Sequence, residues 1–198
     1  MLTKMLSDFD KNYLIELANL LAIADKPILW DGKTLDELTS ETDLSKISIQ
    51  KGAIESELIE EMSGSSLIVE PVKQQKYSVI GAMAGMFKGS PETRFLEKMK
   101  RIPVHKTEDP ALRLEAAASV MREIMEGRKF DLPSVPKLIL FELMLLALSN
   151  GVVTGIEWSL LKEVQHYYQF DDFIFDDLME RAKTMNVEMA KTISIILE

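Results

Sequence analysis

Between positions 138 and 148 the chain reads Leu138-Ile139-Leu140-Phe141-Glu142-Leu143-Met144-Leu145-Leu146-Ala147-Leu148, apolar at every position except Glu142. A helix with no polar face is either surrounded by protein or lies in a membrane. A spanning helix needs about 20 apolar residues; this run is much shorter and holds a carboxylate in its middle. The pattern therefore predicts a central buried helix near 137–149. Pro133 and Pro136 fit its start, where a missing N–H costs nothing. Asn150-Gly151 fits its stop, since both residues tolerate positive φ. Thr154 and Glu157 then form a Thr-x-x-Glu capping box, in which each side chain satisfies the other residue's free N–H. Trp158, Leu160, Leu161 and Val164 supply the apolar face of the helix it opens. A link this short places the two helices side by side.

The rest of the chain is largely helical in period. Phe9, Tyr13, Leu17, Leu20, Leu21 and Ala24 predict a first helix, capped by Asp8 or Asp10 and ending near Asp25-Lys26-Pro27. Residues 28–33 read as a turn containing Asp31-Gly32. A second Thr-x-x-Glu box, Thr34 to Glu37, predicts a short helix ending near Glu41. A helix over about 49–62 follows, with Ala53, Ile54, Leu58, Ile59 and Met62 on one face and Glu55, Glu57, Glu60 and Glu61 on the other. Leu67-Ile68-Val69 and Tyr77-Ser78-Val79-Ile80 are β-prone and allow a small hairpin or an irregular loop. The Met- and Gly-rich stretch from Gly81 to Gly89 reads as a flap over the core, with peripheral membrane or partner contact through 79–87 as the alternative. A helix through Phe95, Leu96 and Met99 ends before Pro103. Asp109-Pro110 opens a helix reaching about Gly127. The last helix is expected to bury Phe173, Ile174, Leu178, Ala182 and Met185, with a break near Asn186.

Composition narrows the function more than it names one. The 198 residues carry a net charge of −9, a poor match to the phosphate backbone of nucleic acid. Lys98, Lys100, Arg101 and Lys106 are the one basic cluster and read as a solvated face. The chain has no cysteine, which excludes disulfides, thiolate metal sites and a cysteine nucleophile. The first residues lack the apolar core and cleavage site of a signal peptide, and a cytoplasmic location is expected.

Catalytic constellations are sparse. Glu163-x-x-His166 has di-iron spacing, but that chemistry needs a second such pair and two more inward glutamates; His166 is expected half-buried beside Tyr167. Glu142 and Glu16 each interrupt an apolar helix. A buried carboxylate there needs a partner, and Arg113 or Arg122 could supply one. An enzyme built on Glu142 or on Glu163 and His166 would require a deep cleft reaching them. Gly81 to Gly89 lacks the Lys-Ser ending of a phosphate loop. No catalytic residue and no organic cofactor is predicted.

The two capping boxes belong to a repeat. Leu20-Leu21-Ala22-Ile23-Ala24-Asp25-Lys26-Pro27-Ile28 aligns with Leu145-Leu146-Ala147-Leu148-Ser149-Asn150-Gly151-Val152-Val153. After five extra residues, 29–33, Thr34 and Glu37 align with Thr154 and Glu157. Helix, Asx turn, apolar residue, Thr cap, Glu and helix thus recur, as in two similar helical hairpins. This arrangement resembles the TerB-like family associated with tellurite resistance, over roughly 9–62 and 109–185, with an insertion over 63–108.

The resemblance implies one all-α domain over 1–198, a bundle of about seven to nine helices built from two similar hairpins. It implies a non-enzymatic, cytoplasmic module of protein interaction or stress response, working through a protein partner or self-association. The alternative is a divalent-metal-binding sensor. By position in the motif, its candidate ligands are Asp25, Glu37, Asn150 and Glu157. Asn150 in place of an acid and Lys26 in place of glycine depart from the pattern and weaken a site for a hard cation.

Overall fold

The computed structural model describes residues 2–64 and 89–197. They form an all-α bundle of seven helices with one small two-stranded sheet. The helices are α1 (Asp8–Ile23), α2 (Ala53–Gly64), α3 (Pro91–Met99), α4 (Pro110–Met125), α5 (Val135–Ala147), α6 (Gly155–Tyr167) and α7 (Asp172–Leu197). The strands are β1 (Ile28–Trp30) and β2 (Ile47–Ile49). The β-prone segments and the Met/Gly-rich stretch between positions 67 and 88 lie outside the described residues. Among the described residues no helix is long and apolar enough to cross a membrane.

The expected central helix is present and buried. In α5, Ile139, Leu140, Leu143 and Met144 have no exposed surface, and Phe141 and Leu145 are half-buried against the same core. It packs against α1, α6 and α7. It shares the centre with α1, whose Leu14, Leu17, Ala18, Leu20 and Leu21 are wholly enclosed. Helix α1 touches α2, α3, α4 and α5. The two aligned segments of the repeat are thus the ends of the two innermost helices.

The helix ends follow local chemistry. Ser7, rather than Asp8 or Asp10, caps α1, its Oγ accepting the Asp10 N–H at 3.2 Å. Asp109 caps α4 with Pro110 behind it, and Gly151 takes a φ of 85° after α5. Both capping boxes form, but Thr34 opens only a single 3₁₀ turn, Leu35–Glu37. The chain does not continue there as a helix. Residues 28–30 are a strand, and Asp31-Gly32, both at positive φ, turn it away. Strand β2 returns antiparallel, with Ile28 opposite Ile49 and Trp30 opposite Ile47. Ile28, Trp30 and Ile49 are buried, so this hairpin seals one end of the bundle. Helix α2 consequently starts at Ala53 rather than near Ile49.

The last helix departs from expectation twice. It runs through Asn186 without a break, and the Asn186 side chain donates to the Leu148 carbonyl at the end of α5. Its buried face is Phe175, Met179 and Ala182, while Phe173 points to solvent.

Candidate functional site

The aligned turns meet at one place. Helix α1 ends with carbonyls that no further turn can use, and the negative end of its dipole attracts cations. Arg113 on α4 supplies one. Its guanidinium donates from Nε to the Ala24 carbonyl at 3.1 Å and from Nη2 to the Lys26 carbonyl, while Nη1 reaches Glu108 at 3.1 Å. Arg113 is only 2% exposed, and burial pulls its pKa down against the opposing charges of Glu108 and Asp25.

Lys26 turns back over the same end. Its ammonium lies 2.7 Å from Glu55 of α2 and 3.7 Å from Asp25. Burial opposes its charge, but the hydrogen bond it donates to Glu55 and the charges of Asp25 and Glu157 prevail, so its pKa is raised. Glu55 responds in the opposite direction: burial pushes it up, and the bond and charge of Lys26 outweigh that and hold it low. Glu157, in the first turn of α6, is 2% exposed. Its carboxylate accepts the Thr154 N–H at 2.8 Å, and its own N–H donates to Thr154 Oγ1 at 3.3 Å. Burial first and the charge of Asp25 second raise its pKa. One carboxylate oxygen of Asp25, Oδ1, is buried without a hydrogen-bond partner. Asp25, Lys26, Glu55 and Arg113 thus tie the ends of α1, α2 and α4 together, and the Glu157 carboxylate of α6 is near enough to feel the charges of Asp25 and Lys26.

Of the four candidate metal ligands, two come together and two do not. Asp25 and Glu157 share this cluster. Glu37 is exposed, and its carboxylate is engaged by the Thr34 N–H at 2.9 Å. Asn150 is exposed, and its Oδ1 accepts the Val152 N–H at 3.1 Å in an Asx turn. The set does not fit a hard cation, which wants several carboxylate oxygens at once; a lysine ammonium stands among the acids that do converge. Among the described residues no three His, Asp or Glu side chains are grouped to hold a metal ion.

Glu55 is the member that sequence periodicity missed. Helical spacing put it on the polar face and Ile54 on the apolar one; the structure buries Glu55 and leaves Ile54 52% exposed. The available signal was Lys26, a cation at the end of a buried helix that needs an acid. Gly52 makes room for the arrangement, since a Cβ there would stand 2.1 Å from Glu55 Oε2. The cavity beside Gly52 and Glu55, lined also by Asn19 and Ser56, holds about 170 Å³. That is well below the roughly 300–1,000 Å³ of small-molecule sites.

The other candidates resolve as structural contacts. Glu142 is fully buried, and its partner is neither Arg113 nor Arg122. The Leu2 N–H donates to Oε1, which packs the N-terminal segment onto α5, while Oε2 has no partner. Burial raises its pKa against the effect of that hydrogen bond. Because the native value exceeds the ordinary one near 4.5, this group's contribution is greatest in acid and is lost as pH rises through its native pKa. Glu142→Gln keeps an acceptor for Leu2 and removes the charge. It is expected to stabilise the protein by about 1–2 kcal/mol at neutral pH and to have almost no effect near pH 3; denaturant titrations at both pH values check this.

Arg122 instead binds Glu163 at 2.5 Å on the surface, and His166 beside it is exposed rather than half-buried. Glu16 is exposed, with Arg94 3.8 Å away. At the other end of α1, Arg128 stacks over Phe9 at 3.6 Å and Tyr13 at 4.7 Å and reaches Asp10 at 2.9 Å. The hydroxyls of Tyr13 and Tyr168 meet at 2.5 Å. Burial chiefly drives both phenols upward, Tyr168 to about 12, so the pair stays protonated and bridges α1 to the end of α6.

Comparison of the chain with protein-family models, with curated proteins and with solved structures returned no match.

Proposed function

We propose that this protein is a non-enzymatic, TerB-like module that serves stress resistance through contacts with protein partners, in the cytoplasm. The observation that supports this reading best is the meeting of the two aligned turns. Asp25-Lys26 from the first half forms an ionic cluster with Glu55 and Arg113, and the buried Glu157 of the second half lies close enough to feel the charges of Asp25 and Lys26. A motif repeated in sequence and joined in space is what two related hairpins folded on each other would produce. Both capping boxes of the repeat also form.

The second reading, a divalent-metal sensor, draws on Asp25 and Glu55 flanking the Lys26 ammonium and on the charge of Asp25 felt by Glu157. Lys26 weighs against it. Its ammonium supplies the positive charge those acids need, so the turn carries its own cation. Contacts, rather than an ion, are then left to do the work.

The reading is tested by plating a strain deleted for this chain on potassium tellurite. Survival well below that of the parent, restored by the wild-type chain, supports it. A deletion strain as resistant as its parent overturns it.

A further inference from the structure

Four asparagines stand in the chain, at positions 12, 19, 150 and 186. Asn12 and Asn19 lie inside α1 and Asn186 inside α7, followed by the bulky Tyr13, Leu20 and Val187. Asn19 and Asn186 are held further, their side chains donating to the carbonyls of Ile15 and Leu148. Asn150 differs on each count. It lies beyond the end of α5, it is exposed, and Gly151 follows it.

That setting opens a reaction within the chain. The Asn150 Cγ is an electrophile, and the backbone nitrogen of the next residue is the nucleophile that can close a succinimide ring on it. Glycine has no side chain to crowd the approach. Gly151 is exposed at a φ of 85°, and no heavy atom lies within 4 Å of where a Cβ would stand. Asn150 Oδ1 already accepts the Val152 N–H at 3.1 Å. This donor faces the oxygen that turns negative as the ring closes, as a donor in an oxyanion hole does. One bond opposes the reaction, from the Gly151 N–H to the Leu148 carbonyl at 2.8 Å. It belongs to an exposed turn at a helix end, where opening costs little, whereas the amides after Asn12, Asn19 and Asn186 open only with their helices.

We propose that Asn150 is a site of self-modification, in which the Gly151 backbone deamidates its side chain with water as the co-reactant. The Gly151 nitrogen gives its proton to solvent and bonds to Asn150 Cγ. The Cγ–Nδ2 bond breaks, and Nδ2 takes up a proton and leaves as ammonia. Water then opens the succinimide. Breaking the new Cγ–N bond leaves aspartate. Breaking the bond from the Asn150 main-chain carbonyl carbon leaves isoaspartate, with the main chain running through Cβ. Asp31-Gly32 pairs the same backbone with a carboxylate, a poor electrophile that Lys46 holds at 3.1 Å, and is expected to react more slowly.

Both products alter the link between α5 and α6. Aspartate places a negative charge at the C-terminal end of α5, where the helix dipole is already negative. The aligned acid of the first half, Asp25, has Lys26 at 3.7 Å, but Gly151, Val152 and Val153 supply no base. Isoaspartate lengthens the main chain and takes the side-chain acceptor away from Val152.

Ageing the full chain in mildly alkaline buffer tests this, with peptide mass spectrometry and enzymatic methylation of isoaspartate as readouts. Deamidation at Asn150 is expected to run at least about 10-fold faster than at Asn12, Asn19 or Asn186, to quicken as pH rises, and to give isoaspartate. Asn150→Ser keeps an acceptor for Val152 and has no carboxamide, so its peptide should age unchanged. Hydrogen exchange reads the effect on the link. Val152 in the isoaspartate form is expected to exchange at least about 10-fold faster than in Asn150→Asp, which keeps the acceptor. An Asn150 that stays intact in the folded chain while it reacts in urea would overturn the proposal. So would equal rates at the four asparagines, or aspartate without isoaspartate, the product of direct hydrolysis. Equal Val152 exchange in the two forms would overturn the loosening of the link.

Discussion

Replacing Arg113 by methionine is expected to destabilise the protein by about 3–5 kcal/mol, the cost of breaking a buried charged network from one side. The Arg113 fork satisfies the carbonyls of Ala24 and Lys26 at the end of α1 and reaches Glu108 from a position 2% exposed. Without it, two carbonyls at a buried helix end lose their donors, and Asp25 loses one of its two neighbouring cations. Arg113→Lys keeps the charge but replaces the planar fork with a single flexible ammonium, so an intermediate loss is expected. Urea unfolding monitored by circular dichroism measures both. An Arg113→Met protein within about 0.5 kcal/mol of wild type would mean that the end of α1 is held by something else.

Phe175→Ala is expected to cost about 3–5 kcal/mol, and Phe173→Ala less than about 0.5 kcal/mol. Phe175 has no exposed surface, meets Trp158 edge-on with centroids 5.3 Å apart, and lies under the Lys162 ammonium at 3.9 Å. Phe173 is 68% exposed. Thermal unfolding separates the two variants, because each kcal/mol moves the midpoint by about 2–4 °C at this size. Equal effects at the two positions would place the face of α7 wrongly.

The contrast between these phenylalanines shows what the pattern carried. Helix α5 was legible because its run is almost wholly apolar and its ends are marked, by Pro133 and Pro136 at the start and Asn150-Gly151 at the stop. The two Thr-x-x-Glu boxes were legible because their chemistry is local, three residues from end to end. The face of α7 was not. Phe173, Ile174 and Phe175 are consecutive and equally apolar, so burial among them is decided by packing on α5 and Trp158, which periodicity does not encode. The hairpin of β1 and β2 was missed because three-residue strands are too short to establish an alternation. Ile47 and Ile49 also lie 17 and 21 residues from the residues they pair with, Trp30 and Ile28. At the candidate site, Asp25 and Glu157 were found through the repeat, whereas Glu55 was concealed among the acids of α2 and is drawn inward by Lys26. The partner of Glu142, a backbone N–H 140 residues away, left no sequence signal.

Lys26 is proposed to serve as the cation of the turn in place of a bound metal. Calorimetric titration of calcium, magnesium and zinc into the wild-type chain and into Lys26→Ala tests this directly. The wild type is expected to give no binding heat up to millimolar metal, and Lys26→Ala, which removes the ammonium facing Asp25 and Glu55, is expected to gain it. Stoichiometric heat in the wild type, lost in Glu157→Gln, would contradict the account.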